Sequence, residues 1–218
     1  MKRTLIAAAL AIAAISSAHA ASIAGLKNTG IGASGSLDSN YKLTAASSDS
    51  TITATKPTIS FDNQWPITPW MTNASSSASK WITPTASQSQ SFDASSAGTY
   101  TYSLSFDLTG YNAASAAFTG RLAADNSVTV LLNNHNIGSA TGFTDWTSFA
   151  ASSNFVAGVN KLDFVVSNWA QNGGNPTGLR VEFASSSVAA AVPEPETYAM
   201  LLSGMALMGF VARRRKAA

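Results

Sequence analysis

Apolar and polar residues alternate with a period of two along much of the middle of this chain. In the run at residues 100–108, YTYSLSFDL, every second residue is large and apolar. Because successive side chains of a β-strand point to opposite faces, this pattern places the apolar residues on one face of a sheet. The alternation recurs in AFTGRLA, SVTVLLN, KLDFVVSN and GLRVEF, and three weaker runs come earlier, YKLTAAS, STITATK and PTISF.

Residues typical of turns separate these runs, and many short antiparallel strands with one buried face are typical of a sandwich. The clusters of Gly, Asn, Asp and Ser lie at residues 108–110, 124–127, 133–138, 157–160 and 172–178. The pattern therefore predicts an all-β fold, a two-layer antiparallel β-sandwich, over residues 21–187.

Two of the runs carry a more detailed pattern. Residues 125–134, DNSVTVLLNN, lead into Ile137-Gly138, and FVAGVNKLDFVVSN follows at 155–168. Together they resemble the galactose-binding-like jelly roll, with its strand and turn V-x-L-N-G-x-x-I-G and its later F-x-x-G-x-N-x-L-x-F-x-V-x-N. The resemblance covers about residues 92–183 and implies a jelly-roll sandwich, a fold that hosts many functions. Where the family often carries Gly in the hairpin, this chain has Asn134, which also tolerates positive φ.

The first 20 residues have the parts of a secretory signal peptide. Lys2 and Arg3 form a basic start, residues 5–15 are apolar throughout, and Ala18-His19-Ala20 supplies the small residues of a cleavage site. We expect cleavage after Ala20. A membrane span is the weaker alternative, because a helix of this apolar run would be only ~16 Å long, about half of a bilayer core.

A second uncharged run, residues 197–212, lies near the C-terminus, and a membrane-stop cluster of cations follows it, Arg213, Arg214, Arg215 and Lys216. As a helix the run would be ~24 Å long, less than the ~30 Å hydrocarbon core but workable with local thinning. Clustered cations stay on the cytoplasmic side of a membrane. The pattern predicts a short C-terminal transmembrane helix.

Pro193, Glu194 and Pro195 stand directly before that run, in a segment that the prolines keep extended. The motif, the short apolar run and the terminal Arg cluster together resemble the PEP-CTERM sorting signal of Gram-negative bacteria. The resemblance covers residues 192–217 and implies recognition by an exosortase, a membrane protease. It further implies a protein that its tail holds transiently in the inner membrane before it reaches the cell surface or the extracellular space. A permanent tail anchor is the alternative.

The predicted organisation is thus a signal peptide at 1–20, a β-sandwich at 21–187, and a linker, sorting motif, helix and basic tail at 188–218. Between Ala21 and Val192, seven Lys and Arg face nine Asp and Glu, a formal charge of −2. Nucleic acid binding requires a clustered basic face, which this segment lacks. The chain has no cysteine, so no disulfide stabilises the exported fold.

Candidate catalytic residues are sparse. The predicted mature chain holds one histidine, His135, in a polar turn, and neither a zinc site nor a Ser-His-Asp triad can be assembled around it from the sequence. Glycosidases need two placed carboxylates. Asp107, Asp163 and Glu182 fall on outward positions of predicted strands, where solvated side chains are expected. We therefore expect no enzymatic activity, with a hydrolase of matrix polysaccharide as the alternative.

The sequence identifies no certain cofactor. Jelly rolls of this kind often hold a structural calcium ion through loop carbonyls and carboxylates, and Asp93, Asp125 and Asp145 are the candidate loop ligands here. Their spacing matches no EF-hand pattern, so the metal is unknown.

Tryptophans give the clearest indication of a ligand. Trp65, Trp70 and Trp81 lie in connections rich in Pro and Ser, and Asn168-Trp169-Ala170-Gln171 follows a predicted strand. An exposed indole can stack on a sugar ring while neighbouring amides bind hydroxyls, although Trp more often serves the core. Asn168, Trp169 and Gln171 are therefore candidate ligand-binding residues. The sequence favours an exported, non-enzymatic protein that binds exopolysaccharide or is structural in a biofilm matrix, with or without a ligand.

Overall fold

The structure, a computed structural model, describes residues 20–49, 52–73, 78–191 and 195–215. Residues 20–189 form one compact unit, and the C-terminal segment belongs to a second. Residues 1–19 of the predicted signal peptide lie outside the described residues.

The described residues form nine strands and one helix. They are β1 (Ala20–Ala21), β2 (Lys42–Ala46), β3 (Thr58–Ile59), β4 (Ile82–Thr83), β5 (Gly98–Asp107), β6 (Tyr111–Leu132), β7 (His135–Ala151), β8 (Val159–Asn168), β9 (Gly178–Ala190) and α1 (Pro195–Arg215).

The strands form one curled antiparallel sheet in the order β2-β5-β8-β6-β9-β4-β3, with β1 paired to β9 and β7 paired to β6. Strand β6 is long enough to serve both layers, because its last residues pair with β8 while it also neighbours β9. The predicted two-layer antiparallel jelly-roll β-sandwich is confirmed.

Side chains from both layers meet in an aromatic core. The ring of Phe149 in β7 lies 5.9 Å from that of Phe164 in β8 and 5.8 Å from that of Phe183 in β9. Phe118 in β6 packs edge-on against Phe183 at 5.5 Å. The large residues of the 100–108 run are all buried, as the alternation predicted.

The turn predicted at residues 124–127 is wrong, because this segment lies inside β6. Ala124 pairs with Gly142 and Ser127 pairs with Thr141, which leaves two extra residues on β6. On the other side, Leu122 pairs with Thr147, so β7 also bulges between Gly142 and Thr147. Turn-forming residues here make a corner of the paired β6–β7 hairpin, and pairing resumes beyond it.

The hairpin turn between β6 and β7 follows the sequence expectation more closely. Asn133 and Asn134 form a two-residue connection, with φ of 49° and 68°, between the paired residues Leu132 and His135. Such turns need positive φ at both central residues, which Asn adopts readily.

The weak early runs form less strand than predicted. PTISF is reduced to the two residues of β3, and the described residues of STITATK form no strand. In contrast, β9 continues to Ala190, past residue 187 where the predicted sandwich ends.

The C-terminal helix is present. It begins at Pro195, a residue suited to the first helical turn, and ends at Arg215, with Arg213 and Arg214 in its last turn. Pro193, Glu194 and Lys216 lie outside the described residues. Among the described residues, no helix is both long enough and apolar enough to cross a membrane.

Candidate ligand-binding surface

The five tryptophans divide into buried and exposed residues. Trp70 and Trp81 are 2% and 0% exposed, and their rings pack together at 4.5 Å, so these two loop tryptophans belong to the interior. Trp65 and Trp169 are 43% and 52% exposed. Trp146 is half-buried. Only Trp65 and Trp169 therefore present a large apolar face for a ligand.

Trp169 begins a closed loop at residues 169–177. The Asn175 side-chain amide donates to the Trp169 carbonyl at 2.9 Å and to the Phe92 carbonyl at 2.6 Å. The Gln171 side-chain amide donates to the carbonyls of Gly173 and Gly174 at 3.3 Å. These bonds hold the loop in one shape while Trp169 and Gln171 stay exposed.

Trp65 reaches the same loop from a distant part of the sequence. Its ring atom Cη2 lies 3.9 Å from the position that a Cβ on Gly174 would occupy. The buried Gln88 side chain fixes this connection, because its amide donates to the Gln64 carbonyl at 2.8 Å. Trp65 and Trp169 thus border one loop, and we call Trp65, Trp169 and Gln171 the tryptophan surface. The sequence did not single out Trp65 from Trp70 and Trp81 as a candidate ligand-binding residue.

Beneath this surface lies the bulge of β6. The Trp70 indole N–H donates to Asp125 Oδ2 at 2.8 Å, and the Trp169 backbone N–H donates to Asn126 Oδ1 at 2.7 Å. Burial raises the pKa of Asp125 to about 6, and the bond from Trp70 opposes that rise only in part. No sequence motif marked Asn126 as part of a site.

Asn168 belongs to the interior, so its burial argues against its prediction as a ligand-binding residue. It is 0% exposed, and its side-chain amide donates to Asp93 Oδ2 at 2.9 Å. Asp93 is equally buried and also accepts hydrogen bonds from Tyr100, Ser47 and the Ser48 backbone. Burial raises the pKa of Asp93, but these hydrogen bonds outweigh it, so the pKa lies below its ordinary value.

The three candidate calcium ligands are occupied separately. Asp93 accepts from the donors above, Asp125 accepts from Trp70, and Asp145 accepts from Thr144 on an exposed part of β7. In the described ranges, no group of three or more His, Asp or Glu could hold a metal ion.

Two carboxylates expected to be solvated are buried. Asp163 is 6% exposed and pairs with Lys161 at 2.9 Å, and Glu182 is 8% exposed. Glu182 accepts from Ser79 at 2.7 Å and from Arg121 Nε at 2.8 Å. Connections between strands cover the outer face of β9 here, which alternation alone does not reveal.

Two guanidinium groups lie over the ring of Trp146. The Cζ atoms of Arg121 and Arg180 are 4.5 Å and 4.9 Å from the ring centroid. Arg180 is 4% exposed and donates to the Thr72 carbonyl at 2.8 Å. Trp146 therefore supports a cation–π cluster.

His135 is exposed at the start of β7, and Asp107 is exposed and bonded to its own turn through Thr109.

Comparison with known proteins identifies the tail. The model of the PEP-CTERM protein-sorting motif matches residues 191–216. The chain therefore carries this motif, which implies an exported protein that an exosortase processes. No curated protein sequence matches the chain.

Solved structures similar to the chain include sugar-binding modules. A variant of a family 29 carbohydrate-binding module, complexed with cellulohexaose, is 12% identical, with 79% of this chain and 91% of that chain covered and a TM-score of 0.36. Another structure of a family 29 module is 11% identical, covers 78% and 89%, and has a TM-score of 0.37. A PA14 sugar-binding domain from an RTX adhesin is 16% identical over 44% and 55%, with a TM-score of 0.26. These values are too low to assign a ligand to this chain.

Proposed function

We propose that the β-sandwich is a non-enzymatic module that binds a polysaccharide of the extracellular matrix through the tryptophan surface. The observation that carries this proposal is that Trp169 begins a hydrogen-bonded loop, that Trp65 contacts the same loop, and that both tryptophans are exposed. Exposing two large indole rings forfeits about 2 kcal/mol of burial energy each, so a ligand that covers them would recover part of it.

The surroundings suit a neutral, hydroxyl-rich ligand. Exposed amide residues lie close to both tryptophans in the sequence, Asn63 and Gln64 before Trp65, and Gln171 and Asn172 after Trp169. Amides both donate and accept, so they can bind hydroxyl groups in either sense. Ligand sites combine an apolar face with a few fixed polar groups in this way.

The tail has a separate role in this proposal. The apolar side chains that α1 exposes could contact lipid, and the basic cluster at residues 213–216 would remain cytoplasmic. The exposed large apolar residues of α1 are Met200, Leu201, Leu202, Met205, Leu207, Met208, Phe210 and Val211. We infer a transient inner-membrane tether in a Gram-negative host, released when the exosortase cuts near the motif, and a final place at the cell surface or in the matrix.

Affinity electrophoresis of the protein through gels containing matrix polysaccharides, including that of the producing cell, tests the binding. We expect at least one polysaccharide to retard the protein. Replacing Trp65 and Trp169 together by Ala should abolish the retardation, because each stacked aromatic contributes about 1 kcal/mol or more. Val159→Ala is the matched control, since Val159 is 68% exposed at the opposite end of β8 from Asn168.

Incubating the protein with the same polysaccharides distinguishes binding from hydrolysis. Unchanged polymer length together with retardation is the expected result. Shortened chains would replace the proposal by the hydrolase alternative, and no retardation on any polysaccharide would leave a purely structural protein.

A further inference from the structure

The bulge in β6 contacts both loops of the tryptophan surface. Asp125 and Asn126 are the two residues of β6 left between the pairs Ala124–Gly142 and Ser127–Thr141. A bulge interrupts the ladder and redirects its side chains, so these two residues can bond to groups beside the sheet.

Asp125 holds the connection that carries Trp65. Its Oδ2 accepts the indole N–H of Trp70, and the Trp70 ring lies against Trp81. Trp70 is tied to the chain next to Trp65, because its backbone N–H donates to the Pro66 carbonyl at 2.9 Å. The position of Trp65 is thus set through Trp70 by a buried carboxylate.

Asn126 holds the other loop at its first residue. Its Oδ1 accepts the Trp169 backbone N–H at 2.7 Å. The end of this loop is fixed by the same bulge, since the Thr177 hydroxyl donates to the Asp125 carbonyl at 2.5 Å. Both ends of residues 169–177 are therefore bonded to two adjacent residues of β6.

We propose that Asp125 and Asn126 are positioning residues that lock Trp65 and Trp169 into one rigid binding face before any ligand arrives. This inference rests on the proposed function for its consequence, tighter binding, but the rigidity itself is a property of the free protein. Fixing a binding surface in advance removes the entropy cost of ordering it on association.

Hydrogen exchange of the full-length chain, kept in mild detergent without ligand, tests the rigidity. In Asn126→Ala, peptides covering residues 169–177 should exchange about fivefold to tenfold faster, the factor expected for one lost hydrogen bond. Asn126→Asp keeps an acceptor for the Trp169 N–H and should restore slow exchange. Asn112→Ala is the matched control, because Asn112 lies near the other end of β6 and accepts from Ala114.

Affinity for the polysaccharide that retards the unaltered protein is the second measurement. Asn126→Ala should weaken it by about fivefold, and Asn126→Asp should restore it. Unchanged exchange in Asn126→Ala would overturn the inference, whether or not binding is weaker. If the unaltered protein binds no polysaccharide, the proposed function fails, while faster exchange in Asn126→Ala still supports the locking role.

Discussion

Two buried aspartates near the loop at residues 169–177, Asp93 and Asp125, have opposite electrostatic environments. Asp93 accepts four or more hydrogen bonds from side chains and backbone, and its pKa is lowered. Asp125 accepts one described side-chain hydrogen bond, from Trp70, and burial raises its pKa to about 6. Burial of a carboxylate is tolerated where donors replace its lost water, and only Asp93 has a full set.

The raised pKa of Asp125 predicts a stability that decreases as pH rises. The folded state holds the proton up to about pH 6, whereas an unfolded aspartate releases it near pH 3.9. Between these values the folded state binds more protons than the unfolded state. The free energy of unfolding therefore falls by up to roughly 3 kcal/mol by pH 7. Asp125→Asn should remove this pH dependence of the unfolding free energy, while the Asn side chain still offers an acceptor to Trp70.

Urea unfolding at pH 4.5 and pH 7 measures the effect. The difference in unfolding free energy between the two pH values should change by ~1–3 kcal/mol in Asp125→Asn and not in Asp145→Asn, which alters an exposed carboxylate. An identical pH dependence in Asp125→Asn and the unaltered protein would show that Asp125 is solvated.

At the scale of elements, the β6–β7 hairpin is the feature that joins the two layers. Its strands are 22 and 17 residues long, far above the usual ~5–6, because the hairpin bends at paired bulges and continues. Alternation in AFTGRLA and SVTVLLN predicted the strand character on both sides of the corner. It could not predict the corner, because Asp125-Asn126-Ser127 has the composition of a reversing turn.

Gly120 shows how closely β6 approaches β9. A Cβ at this position would lie 2.7 Å from both the Glu182 carbonyl oxygen and the Phe149 ring. Gly120→Ala should therefore push backbone apart and lower the unfolding free energy by ~1–3 kcal/mol, the usual cost of overpacking.

Gly138→Ala is the matched control for that change, since Gly138 also lies in a strand but its nearest neighbour would be 3.7 Å away. Thermal and urea unfolding of the two variants give the comparison. Equal stability of both would mean that β6 and β9 can separate without cost.

For the molecule as a whole, the proposed ligand-binding loop and the exit to the tail lie at opposite ends of β9. Ala20 pairs with Ala189, and Ala21 pairs with Val188, so the predicted mature N-terminus and the exit to the tail share one end of β9. Thr177, the last residue of the loop at residues 169–177, precedes Gly178 at the other end of β9. A strand of 13 residues spans ~40 Å, which separates the loop at residues 169–177 from the chain exit.

This separation predicts that tail processing and ligand binding are independent. Replacing Glu194 by Ala should block processing, so intact mass of protein from the envelope would include Ala218. The retained protein should bind polysaccharide with an affinity within about twofold of the processed form, because the sandwich is unchanged. Tail-bearing protein released into the medium by cells with an exosortase would contradict the sorting role, and loss of binding would contradict the independence.

The strand faces, the hairpin at Asn133–Asn134 and the sorting tail can be read from the sequence, because each depends on neighbouring residues: a period of two, a local need for positive φ, and one ordered terminal motif. Which tryptophans are exposed and which carboxylates are buried follows from the folded arrangement of distant segments. Those outcomes depend on contacts between residues far apart in the chain, such as Trp70 with Asp125 and Glu182 with Ser79. The exposure of a side chain depends on which segment covers it, and the local sequence pattern does not indicate that segment.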